Sequence, residues 1–277
     1  LPEIHVEGPL QKMRVALDAP VAYQLRVGEA LIQLNGLLGE TVRLEFNGGI
    51  TCLHCGRKTR KSFNQGYCYP CFQKLAQCDS CIVSPEKCHF DAGTCREPDW
   101  AQAHCMQPHV VYLANSSGLK VGITRGTQVP TRWIDQGAVQ ALPILSVQTR
   151  QQSGLVETLF KQHVADKTNW RAMLKGQVEE LDLAERREYL LHICNDELTE
   201  LQQRFGLQAI QPLPDAQPLT IAYPVLQHPA KVVSLDLDKT PQITGRLLGI
   251  KGQYLMLDTG VINIRKFGAY HVTFSAG

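Results

Sequence analysis

No apolar stretch in this 277-residue sequence approaches the ~20 residues that a membrane-spanning helix requires. The expectation is a chain with no membrane partner. Nor does a basic-then-apolar leader open the sequence as given, which points to a reducing, cytoplasmic setting. A large charge excess is lacking as well: 28 Lys and Arg stand against 26 Asp and Glu, for a net charge of +2. That balance argues against a general polycation. Disorder is excluded by what is present, since a chain that is 44% hydrophobic and only 19% charged can bury a core. The length allows two modest domains or one domain with insertions.

The near-neutral total hides local blocks. Residues 51–75 carry Arg57, Lys58, Arg60, Lys61 and Lys74 and no acid. Residues 109–175 are basic again, and residues 176–206 are acidic. Two basic blocks in a nearly neutral chain suggest a local anionic partner; the plain alternative is a solvated basic face.

Periodicity divides the chain into five segments. Residues 1–50 alternate apolar and polar in "YQLRVG", "ALIQLNG" and "TVRLEFNGGI", an N-terminal β segment. Residues 51–108 form a cysteine-rich insert. Residues 109–206 are mixed α/β and end in one long helix from 182 to 205, capped by Asp182 and stopped by Gly206. The proline-rich stretch 207–219 reads as a linker, and residues 220–277 return to β. The stretch 34–52 echoes 243–265, both running Leu-Leu-Gly, turn, strand, turn, strand. An isolated hairpin is marginal in water. The expected class is therefore α+β, with the terminal segments pairing into a small β-barrel or sandwich.

Ten cysteines without a secretory leader favour metal over disulfides. Cys52-x2-Cys55 and Cys68-x2-Cys71 are two knuckles at the separation of a four-thiolate zinc site. Each knuckle brings two thiolates to one ion, and with four protein ligands no position stays open to water, so such a site is structural. In the second set, Cys78, Cys81, Cys88 and Cys95 are the first choice, with Cys105 as substitute and His89 and His104 as further candidates. Zn2+ is favoured there, with a four-cysteine iron–sulfur cluster as the alternative. Between the first knuckles, Arg57, Lys58, Arg60 and Lys61 accompany Phe63 and Tyr67. Cations that neutralise phosphates beside rings that stack on bases suit DNA or RNA, whereas the bland alternative packs Phe63 beneath the ribbon.

"HVVYLANSSGLKVGITR" (109–125) reads as a β-hairpin. Lys120, Gly122 and Thr124 share one face, and Val121 and Ile123 share the other. Tyr112 joins the Lys120 face only if the loop has an odd number of residues, as "SSG" would give. A short helix "TRWIDQG" follows Pro130, with Arg132 and Gln136 on one side and Trp133 and Ile134 in the core. A further helix, 153–166, starts at Ser153 and carries Glu157 at the edge of its apolar face.

In that order these residues resemble the GIY-YIG nuclease superfamily. "VVY" (110–112) is similar to its first motif, "KVG" (120–122) to its second, Arg132 to its arginine, Glu157 to its helical glutamate, and Asn169 more loosely to a late asparagine. Val110 replaces the first glycine, and Lys120 the second tyrosine, as in divergent members. The resemblance implies Tyr112 as general base, Arg132 as phosphate clamp, Glu157 as ligand of Mg2+ or Mn2+, and Lys120 and Arg125 as cations favouring the phenolate and contacting nucleic acid. Gly122 would admit a close substrate. The whole chain also resembles an uncharacterised prokaryotic family with a domain of unknown function, through "GYCYPCF", "GTCREPDW" and "KVGITR". Three functions stand as expectations: a metal-dependent phosphodiesterase acting on DNA or RNA, a non-catalytic nucleic-acid-binding module, and a zinc-stabilised adaptor that docks a partner on helix 182–205.

Overall fold

Antiparallel pairing of the two ends of the chain organises the molecule, as the internal echo suggests. The computed structural model describes residues 3–164 and 168–277. The N-terminal segment supplies β1 (Ile4–Ala16), β2 (Ala22–Val27), β3 (Ala30–Gln33) and β4 (Thr41–Thr51), extended by the short β5 (Lys58–Thr59). The cysteine-rich region adds helices α1 (Tyr69–Lys74) and α2 (Pro98–His104). The middle of the chain gives β6 (His109–Asn115), β7 (Leu119–Arg125), α3 (Thr131–Asp135), β8 (Gln140–Val147), α4 (Arg150–Lys161), α5 (Trp170–Leu174), α6 (Leu183–Ile193) and α7 (Asn195–Phe205). The last part supplies β9 (Ile210–Pro212), β10 (Leu219–Thr220), β11 (Gln242–Lys251), β12 (Tyr254–Leu257), β13 (Gly260–Asn263) and β14 (Tyr270–Ala276).

One sheet runs β13-β12-β11-β4-β14-β1-β2-β3, with β5 added on β4. β14 lies between β1 and β4, and β4 also pairs with β11, placing Gly245 opposite Val42. The two ends thus share one sheet, but this sheet runs from β3 to β13 without the two pairing, and so does not close into the expected barrel. The second sheet runs β10-β8-β6-β7, with β9 on β8. The class is α+β.

The small sheet forms the middle layer, because alternation sends successive β6 side chains to opposite cores. Tyr112 and Ala114 pack with Leu10, Leu25, Leu44 and Phe274 of the large sheet. Val111, Leu113 and Val121 pack with Val156 and Phe160 of α4, Leu190 of α6 and Leu198 of α7.

Three expectations need correction. The helix 182–205 is two helices, broken at Cys194, whose ψ of 14° leaves the helical range. Cys194 itself is buried in the core. The helix around Glu157 begins at Arg150 rather than Ser153, because Thr149 and Gln152 form a reciprocal capping box. Its expected end at 165 and 166 lies outside the described residues. Finally, the proline-rich stretch is stitched to β8 at both ends by β9 and β10, with Arg187 of α6 donating to the carbonyls of Leu213 and Ala216.

Candidate metal centres and a cationic cleft

β4 runs directly into the first knuckle. The amide of Gly56 donates to the Cys52 carbonyl at 2.9 Å, and a φ of +70° at Gly56 closes the turn that presents Cys55. Cys68 precedes α1 and Cys71 lies in its first turn. The four Sγ atoms of Cys52, Cys55, Cys68 and Cys71 all lie within 4.8 Å of one another, and Cys55 and Cys68 are 3.6 Å apart. Burial raises the Cys52 thiol, but the backbone amides of Cys55, Cys68 and His54 outweigh it and bring its pKa down to about 6. The Cys71 thiol is pushed up by burial and by the thiols of Cys68, Cys55 and Cys52. Four thiolates so close repel unless a cation sits among them. The group can hold a metal ion such as zinc, and none of the ten cysteines is in a disulfide.

The ribbon is anchored to both ends of the chain. β5 pairs with the end of β4, and the Ser62 hydroxyl donates to the Gly268 carbonyl at 2.9 Å. Arg57, Lys58, Arg60 and Lys61 are exposed on it. Phe63 is packed against Tyr69 and Phe72, so its ring is engaged within the ribbon, as in the bland reading.

The second cysteine set assembles differently from the first choice made on sequence. Cys81, Cys88, Cys95 and Cys105 line one small cavity. Cys78 is not on its lining; its sulfur accepts from the Asn64 amide at 3.4 Å. Cys105, the substitute named on sequence, reaches this cavity because it follows α2. His104 is stacked on Trp100, and its Nδ1 bonds the Trp100 carbonyl at 2.8 Å. His89 instead joins Asp79 and Cys81 in a group within 4.8 Å. Burial, then Asp79 and the neighbouring thiols of Cys88, Cys105 and Cys95, pushes the Cys81 thiol up to about 11.

The hairpin has the three-residue loop that puts Tyr112 on the Lys120 face. Tyr112 stands opposite Gly122, Ala114 opposite Lys120, and Asn115 opposite Leu119. Trp133 and Ile134 of α3 are buried, as expected. The Tyr112 hydroxyl donates to Gln136 Oε1 at 2.7 Å, and its ring meets Trp133 edge-on. Arg132 and Glu157 both act on the phenol electrostatically. The phenol is not open to solvent, however. Tyr112 is 0% exposed, and burial raises its pKa to about 12, with Arg132 pulling it down and Glu157 adding to the rise. Glu157 pairs with Lys161 at 3.2 Å. Gly122 serves the phenol rather than a substrate, since a Cβ there would lie 2.6 Å from the Tyr112 hydroxyl. Asn169 is the N-cap of α5 and accepts from the amides of Arg171 and Ala172.

Sequence reasoning missed the polar cleft beside these groups. A cleft of about 320 Å³ lies between the ribbon and the large sheet. Lys12, Arg26 and Arg265 line it and no carboxylate does; Asn64, Gln65 and Tyr67 of the ribbon form the opposite wall. Lys12 is held by Asp135 at 2.6 Å. The Arg265 guanidinium is held below its usual range by burial and by the like charge of Arg132. Arg125, at the end of β7, is half-buried. Another open cleft, of about 390 Å³, lies by His228, Lys231, Arg246 and Asp258, away from every residue singled out on sequence. Among the described residues no helix is long and apolar enough to cross a membrane.

The family model described as "Protein of unknown function (DUF2797)" matches residues 39–272. No curated protein and no solved structure matches the chain.

Proposed function

The chain belongs to the DUF2797 family, and from that premise we propose that it is a zinc-stabilised nucleic-acid-binding protein. The observation that carries this reading is the cleft: three cations, Lys12, Arg26 and Arg265, and no carboxylate on its lining. Cationic side chains that neutralise successive phosphates account for most sequence-independent affinity for DNA or RNA. The exposed Arg57, Lys58, Arg60 and Lys61 continue the positive surface along the ribbon, with Arg125 as a further contact. Tyr67, on the cleft wall, offers a ring for base stacking. Zn2+ at Cys52, Cys55, Cys68 and Cys71 is structural in this reading, because four protein thiolates leave no open position. Thiolate ligation and ten unpaired cysteines suit a reducing cytoplasm.

A second reading is favoured by the electrostatic influence of Arg132 and Glu157 on Tyr112. There the hairpin domain is GIY-YIG-like, Glu157 holds Mg2+ or Mn2+, and Arg132 steadies a phosphodiester under attack by water. Lys120 lies on the same strand face as Gly122, opposite Tyr112. The buried phenol, with its raised pKa, is a poor general base, so binding without turnover ranks first. The adaptor reading ranks last, because Leu190, Cys194 and Leu198 of the acidic helices are buried in the core, leaving, among the described residues, only Tyr189 and Ile193 of α6 as large exposed apolar side chains there.

The test is fluorescence anisotropy with labelled single- and double-stranded DNA and RNA over a salt series, with and without magnesium or manganese. Binding that weakens steeply with salt and leaves the probe intact is expected. Metal-dependent cleavage that is lost in Glu157→Ala would establish the second reading instead, and absence of binding to every probe would remove both.

A further inference from the structure

A cavity of about 20 Å³ lies beside α4, lined by Cys81, Cys88, Cys95 and Cys105, by apolar Ile82 and Phe90, and by Asp79 and His89. Organic ligands need pockets of ~300–1,000 Å³. The space among these thiols suits an inorganic group bonded to them directly rather than an organic ligand. A single zinc ion, with Zn–S bonds of ~2.3 Å, draws its four thiolates to about 3.8 Å from one another. The Cys52 group meets that geometry, with every Sγ pair within 4.8 Å, whereas the Cys81 group does not close to that limit. The chain spacing differs in the same sense. Six, six and nine residues separate Cys81, Cys88, Cys95 and Cys105, and no CxxC knuckle joins any two of them. A knuckle is how a short chain brings two thiolates onto one ion; a four-iron cluster instead takes one thiolate on each iron and spreads its donors over its corners. Apolar walls are what such a cluster needs to exclude solvent.

We propose that Cys81, Cys88, Cys95 and Cys105 hold a [4Fe–4S] cluster. The competing donor group, Asp79, Cys81 and His89, is already satisfied without a metal. The Asp79 carboxylate is engaged by Arg96 Nε at 2.9 Å, and His89 Nδ1 is bonded to the Thr94 hydroxyl at 2.8 Å. A guanidinium at that carboxylate repels a second cation. The cluster sits against the element that carries Glu157. The Arg150 amide of α4 donates to the Cys105 carbonyl at 2.8 Å, and its Nη2 to the Ile82 carbonyl at 2.6 Å. Gly154 lets the helix close on Pro85, because a Cβ there would lie 2.6 Å from the Glu86 amide. The cluster thus clamps the first turns of α4 onto the cysteine-rich region.

The full chain, purified without oxygen from iron-replete cells, tests this by iron, zinc and acid-labile sulfide analysis, visible absorption, and electron paramagnetic resonance after reduction. About four irons and four sulfides per chain, with brown visible absorption, are expected, alongside about one zinc per chain at the first site. Cys88→Ser and Cys105→Ser lose the iron and the colour and keep the zinc, whose retention reports that the fold survives. Cys78→Ser and His89→Ala keep all three. About two zincs and no iron in the wild-type chain would overturn the proposal, as would full iron content in Cys105→Ser. Should the serine variants fail to fold, the iron and sulfide content of the wild-type chain decides alone.

Discussion

Gly122 has no side chain because the Tyr112 ring crosses the strand there. A Cβ at that position would stand 2.6 Å from both the Cζ and the hydroxyl of Tyr112, itself fully buried. Gly122→Ala is expected to destabilise the fold by about 1–3 kcal/mol, since neither ring nor strand has room to retreat. Chemical denaturation measures it, and an unchanged midpoint would show that the ring repacks freely. His109 makes a pH prediction. Burial lowers its pKa to about 4; Arg150 and Arg125 act in the same direction, and the Gln107 carbonyl opposes them. The unfolded chain takes up this proton near ~6.5 and the folded chain only near 4, so the contribution is complete above ~6.5. It is lost as pH falls through that window, by as much as ~3 kcal/mol. Stability measured between pH 7 and 4 should fall less steeply in His109→Gln than in the wild-type chain; equal slopes would contradict the assignment. Neither role is visible in the sequence. "KVG" announces a glycine, but only the opposed register shows that it accommodates Tyr112 rather than a ligand.

At the scale of elements, the ribbon depends most on a single feature. Its two knuckles carry one short helix and one two-residue strand, with little apolar surface of their own. Structural zinc can supply apparent binding energy of ~10–16 kcal/mol, comparable to the ~5–15 kcal/mol stability of an ordinary domain. Cys52→Ser should lose the ion and melt the ribbon. Because β5 and Ser62 tie the ribbon to β4 and Gly268, the terminal sheet should loosen as well. Zinc content and thermal melting test this together, and a variant with no zinc but an unchanged melting temperature would contradict it. The first knuckles were readable because their spacing is local. The helices were readable only in part. The apolar period continues through the break at Cys194, since α6 and α7 pack on the same core, so periodicity alone reads one helix. The start of α4 was misplaced because Ser153 suits an N-cap, yet its hydroxyl turns back to the Arg150 carbonyl, and Thr149 makes the cap.

At the scale of the whole molecule, function resides where distant segments meet. The pairing of the termini was legible from the internal echo, but the cleft was not. Its cations stand at positions 12, 26 and 265 and come together only through the β1-β2-β14 neighbourhood and the turn before β14. No local pattern marks Lys12 or Arg265, and the charge blocks of residues 51–75 and 109–175 drew attention to the ribbon and the hairpin instead. Cys105 could be named on sequence only as a substitute, because its approach to Cys81, Cys88 and Cys95 depends on the intervening α2. The side of the hairpin that Tyr112 takes was readable from the loop length, whereas the burial of the phenol depends on the large sheet that covers it. The most direct measurement is the salt dependence of nucleic-acid affinity in the wild-type chain and in a Lys12→Ala, Arg26→Ala, Arg265→Ala variant whose zinc content and melting temperature are confirmed. Each lost phosphate contact should flatten the log–log slope by about 1, so the account predicts a shallower slope and weaker binding for all sequences. A variant that binds as tightly and with the same slope as the wild-type chain would contradict it.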